Sequence, residues 1–310
     1  MTWARKDIIA IEDLSPAEIG RVLDMASSFK EISKRDIKKV PTLRGKTVVL
    51  LFYEPSTRTR LSFEIAAKRL SADTVALSAS GSSFSKGETI MDAVNNVMAM
   101  APDCIVIRYP HAGIPARMAS LLPCSVINGG DGFHEHPTQA LLDMYSLHEH
   151  FGALKGLTVA IVGDIMHSRV ARSNVYGLTK MGAKVVLVAP KTLLPPDVEG
   201  WGAEVSTELD PVIPQADAVM MLRVQQERLN ERFFSGVREY ATFYGLNRRR
   251  VEMMKDSAVI MHPGPMNRGV EITHDAADSA RSIILDQVEN GVAVRMTLLY
   301  LSMGGSANVD

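Results

Sequence analysis

Two cysteines in 310 residues leave little material for a disulfide framework. Cys104 adjoins a Val-Ile run, Cys124 sits in another apolar segment, and neither has the spacing of a C-x-x-C or zinc site. Both read as small core residues, and the expected compartment is a reducing cytoplasm. Charge of one sign is not in excess either. The 34 lysines and arginines oppose 35 aspartates and glutamates for a net charge of −1, so no broad electrostatic footprint exists for nucleic acid or an anionic membrane. Any anion site must be local. No apolar run approaches the roughly 18 residues of a membrane span, and no apolar stretch of a secretory signal follows Met1 to Asp7. Neither G-x-G-x-x-G nor G-x-x-x-x-G-K-[ST] occurs. The loop after Val162 reads Gly163-Asp164-Ile165-Met166-His167-Ser168, so no dinucleotide or ATP is expected.

What is present is the balance of a core-forming protein, 46% hydrophobic and 22% charged, long enough for two ordinary domains. Ser15-Pro16-Ala17-Glu18 is a capping box with proline at the first helical position, which predicts a helix from there. Lys46 to Tyr53 is a near-continuous apolar run of strand length, as in a strand buried on both faces. Helical periodicity from Thr57 to Leu70 follows it. Strands near 74–77, 104–108 and 125–128 then alternate with helices near 91–100, 115–121 and 137–149. After Gly152 the rhythm restarts, with strands at 157–162, 184–188, 218–222 and 259–261, a helix over 168–181, and a last helix over 290–300. Strand-helix alternation predicts an α/β protein of two open parallel-sheet domains. One spans 1–150 together with the last helix, about 290–310, and the other spans 151–289.

In such sheets ligands sit beyond the carboxyl ends of the strands, so the loops after strands carry the chemistry. After Tyr53 comes Glu54-Pro55-Ser56-Thr57-Arg58-Thr59-Arg60. Proline stops the strand, Ser56 can cap, and two hydroxyls and an arginine lie over the free N–H donors of a helix start. That combination makes a phosphate cradle without a glycine loop. From local chemistry alone, an ordinary capped helix with solvated charges is the competing reading. His134-Glu135-His136 lacks a third ligand and does not make a metal site, His148-Glu149-His150 ends a helix, and Arg248-Arg249-Arg250 reads as a solvated face.

Phe52-x-Glu54-x-Ser56-Thr57-Arg58-Thr59 resembles the carbamoyl-phosphate signature of the carbamoyltransferase family, with the glutamate typical of its aspartate branch rather than the lysine usual in ornithine enzymes. Further similarities run in family order from about Ile9 to Leu301. They include Ser82-x-x-x-Lys86-Gly87-Glu88-Thr89, Ile107-Arg108-Tyr109-Pro110, the long block from Asn128 through His136-Pro137-Thr138-Gln139 to Asp143, and Gly163-Asp164-x-x-x-Ser168-Arg169. Leu222-Arg223-Val224-Gln225 and Met261-His262-Pro263-Gly264-Pro265 complete the series. Tyr109, where histidine is frequent, and Ser85, where a second lysine is frequent, depart from the pattern. An acceptor with two carboxylates needs at least two cationic groups, and Arg169, Arg223 and Lys86 supply three from separate segments. The His-Cys-Leu-Pro motif of the ornithine enzymes is absent.

The resemblance implies transfer of a carbamoyl group to aspartate, an early step of pyrimidine biosynthesis, without metal or organic cofactor, in an active site between domains and at a subunit interface. It implies that Ser56, Thr57, Arg58 and Thr59 hold the phosphate with help from Arg108 and a neighbouring subunit's Lys86. Thr59, Arg108 and His136 then face the carbamoyl oxygen, while Gln139 and the Gly264-Pro265 segment hold its NH₂. Arg169, Arg223, Gln225 and Lys86 orient the acceptor's carboxylates. Another amino-acid acceptor, or a non-catalytic scaffold relative, is the alternative. The family's catalytic unit is a homotrimer, alone or in a dodecamer with regulatory chains or dihydroorotase. On that reading Lys86→Ala and Arg58→Ala chains, each inactive alone, regain partial activity when mixed; an assay of the mixture that shows no recovery removes the shared site.

Overall fold

The computed structural model describes residues 3–78, 89–224 and 236–304. Two compact units emerge, Met1–Leu141 with Asn290–Asp310, and Leu142–Glu289.

The first unit is built on a four-stranded parallel sheet of β1 (Thr47–Phe52), β2 (Asp73–Ser78), β3 (Cys104–Tyr109) and β4 (Ser125–Asp131), in the order β2-β1-β3-β4. Every residue of β4, and all but the end residue of β1 and β3, is buried, which is why β1 and the Cys104 to Ile107 part of β3 read as continuous apolar runs. Both cysteines are free and buried, Cys104 fully so, and burial pushes both thiols above their usual range. Around the sheet lie α1 (Pro16–Lys34), α2 (Thr57–Arg69), α3 (Ile90–Met98) and α4 (Ile114–Leu121). The free edge of β4 is covered by the N-terminal segment. The Ile8 N–H donates to the Val126 carbonyl at 2.9 Å, and the Asn128 N–H donates to the Ile8 carbonyl at 2.8 Å. At the strand starts the Asp103 carboxylate accepts from Lys46 Nζ at 2.8 Å and from the Thr47 N–H at 2.8 Å.

The second unit holds a five-stranded parallel sheet of β5 (Thr158–Val162), β6 (Lys184–Val188), β7 (Glu204–Ser206), β8 (Ala218–Met221) and β9 (Val259–Met261), in the order β7-β6-β5-β8-β9. Its helices are α5 (Pro137–Phe151), whose first turn belongs to the first unit, α6 (Arg169–Lys180), α7 (Val237–Tyr244), α8 (Arg248–Glu252) and α9 (His274–Ala277). Strand β7 is absent from the sequence reading because it is a three-residue edge strand, two of whose residues are exposed. The last helix, α10 (Ile284–Met303), begins six residues before the expected 290, since Asn290-Gly291 reads as a break yet lies inside the helix, with both residues buried. From Asn290 onward α10 packs in the first unit. Arg295 donates to Ser62 Oγ at 2.7 Å and lies over the Phe63 ring, and Tyr300 tilts against Phe29 with centroids 5.7 Å apart.

Two expectations about charge separate here. The capping box forms as read, with the Ser15 N–H donating to Glu18 Oε2 at 2.8 Å. The basic triplet does not: Arg248 and Arg249 are exposed, but Arg250 is buried, donating to Asp210 Oδ1 at 2.6 Å and to the carbonyls of Gly245 and Phe243. A guanidinium can be buried there because backbone oxygens and a carboxylate saturate it.

Glu18 also accepts from Arg5, and chiefly for that reason its carboxyl titrates at about 2 rather than 4.5. A carboxyl depressed on folding stabilises the fold fully above pH 4.5 and loses that contribution as pH falls through about 2. Urea unfolding of Glu18→Gln beside the parent is expected to show a constant stability deficit above pH 4.5 that closes toward about pH 2; a deficit independent of pH rules the linkage out.

Candidate active site

Helix α2 starts in a way that α1 and α3 do not. Those two place Glu18 and Asp92 in their first turns, where a negative charge complements the positive end of the helix dipole. The first turn of α2 has no acid and instead reads Thr57-Arg58-Thr59-Arg60. Ser56 sits at the cap position with extended backbone, but its side chain caps no helix N–H, contrary to the expectation from sequence. Its hydroxyl donates to Thr59 Oγ1 at 2.9 Å. The first turn of α2 therefore carries two arginines and a hydroxyl pair at the positive end of the helix dipole, which favours an anion.

Beside it stands the end of β3. The Tyr53 N–H donates to the Arg108 carbonyl at 2.9 Å, which sets the Arg108 strand end next to the turn leading to Ser56. The buried Arg108 guanidinium donates to Glu54 Oε1 at 2.7 Å and to the Gly129 carbonyl at 3.1 Å. That carbonyl is available because the β3-β4 register shifts here. Ile107 pairs with Asn128 and Tyr109 with Asp131, so Gly129 and Gly130 together oppose Arg108. The Tyr109 departure has a packing reason, a ring contact with Tyr53 at 5.0 Å.

Past β4 the chain turns on Asp131. Its buried carboxylate accepts from Asn128 Nδ2 at 2.9 Å, the Gly113 N–H at 2.8 Å and the Glu135 N–H at 3.1 Å, and lies 3.2 Å from His134 Nδ1. Burial pushes this carboxyl up, but the hydrogen bonds from His134, Asn128 and Gly113 together outweigh it and hold the group below the usual range. Gly132 has no alternative residue, since a Cβ there meets the Ala112 nitrogen at 2.9 Å and φ is +49°. Glu135, fully buried, accepts the N–H groups of Ile11 and Glu12 at 3.2 Å each. The tripeptide His134-Glu135-His136 is thus a loop clamp, and among the described residues no cluster of three metal-ligating side chains occurs. His136, buried, opens α5 with its carbonyl accepting from the Gln139 N–H at 3.0 Å.

In the second unit the loops after β5, β8 and β9, which neighbour one another in the sheet, carry the expected residues. Ser168 caps α6 by accepting the Ala171 N–H at 3.1 Å, and buried Arg169 is the first helical residue. Arg223 is half-buried one residue past Leu222, whose N–H donates to the Val162 carbonyl at 2.8 Å. Between the two strand ends Gly163, at φ +136°, leaves no room for a side chain: a Cβ would lie 3.0 Å from the Leu222 Cβ and carbonyl. Asp164 accepts from His167 Nδ1 at 2.8 Å. After β9, His262 Nδ1 accepts the Gly264 N–H at 2.8 Å, which leaves Nε2 as the protonated nitrogen facing Glu271 Oε1 at 3.3 Å. Gly264-Pro265 is a cis peptide.

Each unit thus gathers its share at the carboxyl ends of its strands: Ser56, Thr57, Arg58, Thr59, Arg108 and His136 in the first, Arg169, Arg223, Gly264 and Pro265 in the second. Gln139 is buried in the first turn of α5. Lys86 and Gln225 lie outside the described residues. Sequence reasoning missed the role of three buried acids, Asp131, Glu135 and Glu271, as anchors of backbone N–H groups. The signal available for Glu135 was its place between two histidines ahead of a helix, which marks a turn as readily as a ligand.

Residues 6–149 match the model of the aspartate/ornithine carbamoyltransferase carbamoyl-P binding domain, and residues 155–302 match the Asp/Orn binding domain of the same family. The chain is 57% identical over 307 residues to the aspartate carbamoyltransferase catalytic subunit of Syntrophus aciditrophicus, covering 99% of this chain and 100% of that protein. It is 56% identical over 306 residues to the catalytic subunit of Geobacter sulfurreducens, covering 98% of each. Among solved structures it is similar to aspartate transcarbamoylase from Trypanosoma cruzi in complex with carbamoyl phosphate and aspartate, with a TM-score of 0.88, 29% identity and 97% of each chain covered. The ornithine carbamoyltransferase of Pyrococcus furiosus has a TM-score of 0.85 at 30% identity, with 99% and 100% covered. No helix among the described residues is long and apolar enough to cross a membrane.

The packing at Gly163 makes a specific prediction. Gly163→Ala forces Leu222 and the adjoining Arg223 outward and is expected to destabilise the second unit by about 1–3 kcal/mol; thermal unfolding that keeps the parent midpoint contradicts the close approach.

Proposed function

Because the chain belongs to the aspartate/ornithine carbamoyltransferase family, we propose that it transfers the carbamoyl group of carbamoyl phosphate to the α-amine of L-aspartate. The products are N-carbamoyl-L-aspartate and phosphate, and the reaction is an early step of pyrimidine biosynthesis. The observation that carries the reading is the start of α2, where the Ser56 side chain caps no helix N–H and the first turn carries arginines but no acidic residue.

On this reading the N–H groups and side chains of Ser56, Thr57, Arg58 and Thr59 hold the phosphate, with Lys86 added by a neighbouring subunit. Arg108 is engaged by Glu54, so the incoming dianion competes with that carboxylate for the guanidinium. Thr59, Arg108 and His136 direct donors at the carbamoyl oxygen, where negative charge grows as the amine attacks. Gln139 and the carbonyl of Pro265 hold the carbamoyl NH₂, with Gly264 keeping the backbone slim beside it. Arg169, Arg223, Gln225 and Lys86 anchor the two carboxylates of aspartate. The amine nitrogen forms a bond to the carbamoyl carbon and the bond from that carbon to the phosphate oxygen breaks. Phosphate leaves with the electron pair and takes the amine proton. Positioning supplies much of the acceleration, since a bimolecular attack becomes effectively unimolecular. No residue is asked to act as a nucleophile.

Aspartate is favoured over ornithine because the acceptor loops offer cations. Arg169 and Arg223 follow adjacent strands, where an ornithine side chain would call for an acid. The catalytic unit in this reading is a homotrimer, as the family resemblance implies, with Lys86 supplied by a neighbouring copy, and its compartment is the cytoplasm, in keeping with two free buried thiols. The boundary proposed near residue 150 marks the exchange between a carbamoyl-phosphate half and an aspartate half.

The test is a ureido-product assay on the purified chain with carbamoyl phosphate and either L-aspartate or L-ornithine. Product with aspartate alone, and a rise of about tenfold or more in KM for aspartate in Arg169→Ala with little change for carbamoyl phosphate, is the expected result. Product with ornithine, or none with either acceptor, overturns the assignment.

A further inference from the structure

Inside the second unit the fully buried carboxylate on α5 is unused by the mechanism above. Asp143 of α5 accepts from Asn174 Nδ2 through Oδ2 at 2.8 Å and from Gln287 Nε2 through Oδ1 at 2.8 Å. Each donor belongs to a chain of bonds that ends at a loop carrying proposed site residues. Gln287 Oε1 accepts the His262 N–H at 2.9 Å, and His262 Nδ1 in turn holds the Gly264 N–H. His262 Nε2 faces Glu271, which accepts the Asn267 N–H, and Asn267 Nδ2 donates to the carbonyl of Val224 at 3.0 Å, next to Arg223. On the other side Asn174 Nδ2 also donates to the Val170 carbonyl at 3.0 Å, next to Arg169. His262, Asn174, Gln287 and Glu271 are buried, so each amide orientation is dictated by its partners.

Donor and acceptor matching gives the network one direction. A carboxylate at 143 accepts from both amides, which turns the Gln287 carbonyl toward His262 and leaves the His262 N–H satisfied. We propose that Asp143 is a positioning residue, setting the Gly264-Pro265 carbonyl against the carbamoyl NH₂ through Gln287 and His262. This rests on the function proposed above. An amide at 143 breaks the matching. Asn174 Nδ2 is held in its orientation by the Val170 carbonyl, so the carbonyl at 143 stays on Asn174; its NH₂ then faces the NH₂ of Gln287, and if Gln287 flips to accept, its own NH₂ meets the His262 N–H. Glutamate at 287 restores the pattern with the charge moved from position 143 to its bonded neighbour at 287, one oxygen accepting from Asn at 143 and the other from the His262 N–H.

The test is calorimetric titration of the folded full chain with carbamoyl phosphate and separately with inorganic phosphate, which has no NH₂ for the Pro265 carbonyl to hold. Asp143→Asn is expected to weaken carbamoyl phosphate binding on the order of tenfold, with phosphate affinity held within about twofold. The double variant Asp143→Asn with Gln287→Glu is expected to recover most of that loss. Equal weakening of both ligands, unchanged carbamoyl phosphate affinity in Asp143→Asn, or a folded double variant no better than the single one overturns the inference. If Asp143→Asn does not fold, Gln287→Leu breaks the relay while leaving Asp143 with Asn174, and the same selective loss is required of it. A parent chain that does not bind carbamoyl phosphate at all overturns the function itself, whereas a parent that binds with variants that do not differ from it overturns only the role of Asp143.

Discussion

A carboxylate removed from water stays ionised only where several donors converge on it, and the first unit meets that requirement at Asp131. The side chain of Asn128, the N–H groups of Gly113 and Glu135, and the His134 ring all meet at its two oxygens. The turn that follows β3 and the turn that follows β4 are therefore tied to the same atoms. His136 owes its position at the head of α5 to that tie, as Arg108 owes its own to the two-residue bulge of Gly129 and Gly130. The geometry of the candidate site is built less by the strands than by what is done with the few backbone groups the strands release at their ends.

The two units solve the same problem with different means. In the first, the ends of β1, β3 and β4 are joined by an ion pair, a bulge and a carboxylate hub. In the second, the ends of β5 and β8 are pressed together over Gly163, and the segment after β9 is pinned by the His262 imidazole between a backbone N–H and Glu271. Charge placement runs against the helix dipole in both. Arginine opens α6 and enters the first turn of α2, where helix electrostatics alone would select acids. Stability forgone at a helix end is a recognisable sign of a site that expects an anionic guest.

Much of this was legible in the chain before any coordinates. The sheets announce themselves because parallel strands covered on both faces tend toward continuous apolar runs, and the loops that follow them hold the candidate side chains at fixed spacing from each run. What escaped reading has a common cause. Glu135, Asp143, Glu271 and Arg250 are charged residues whose burial depends on donors and acceptors far away in sequence, as Glu135 depends on Ile11 and Asp143 on Gln287. Nothing local separates them from solvated charges, so Arg250 was grouped with its exposed neighbours. The failed cap at Ser56 is of the same kind: its hydroxyl has two nearby uses, and the choice made leaves the helix start open. Strand β7 and the first turns of α10 escaped for lack of periodicity, one being three residues at an edge, the other being separated from its helix by an Asn-Gly pair.

The packing of α10 in the first unit has a consequence for how the molecule is made. Ser62 and Phe63 receive Arg295, and Ser125 Oγ donates to the Ser302 carbonyl at 2.7 Å, so the first unit is completed by residues translated after the entire second unit. Leu142–Glu289 is continuous and has all its parts as soon as it clears the ribosome, whereas the segment begun earlier waits with an unfinished face. Vectorial synthesis is thereby inverted, and the half that starts first finishes last.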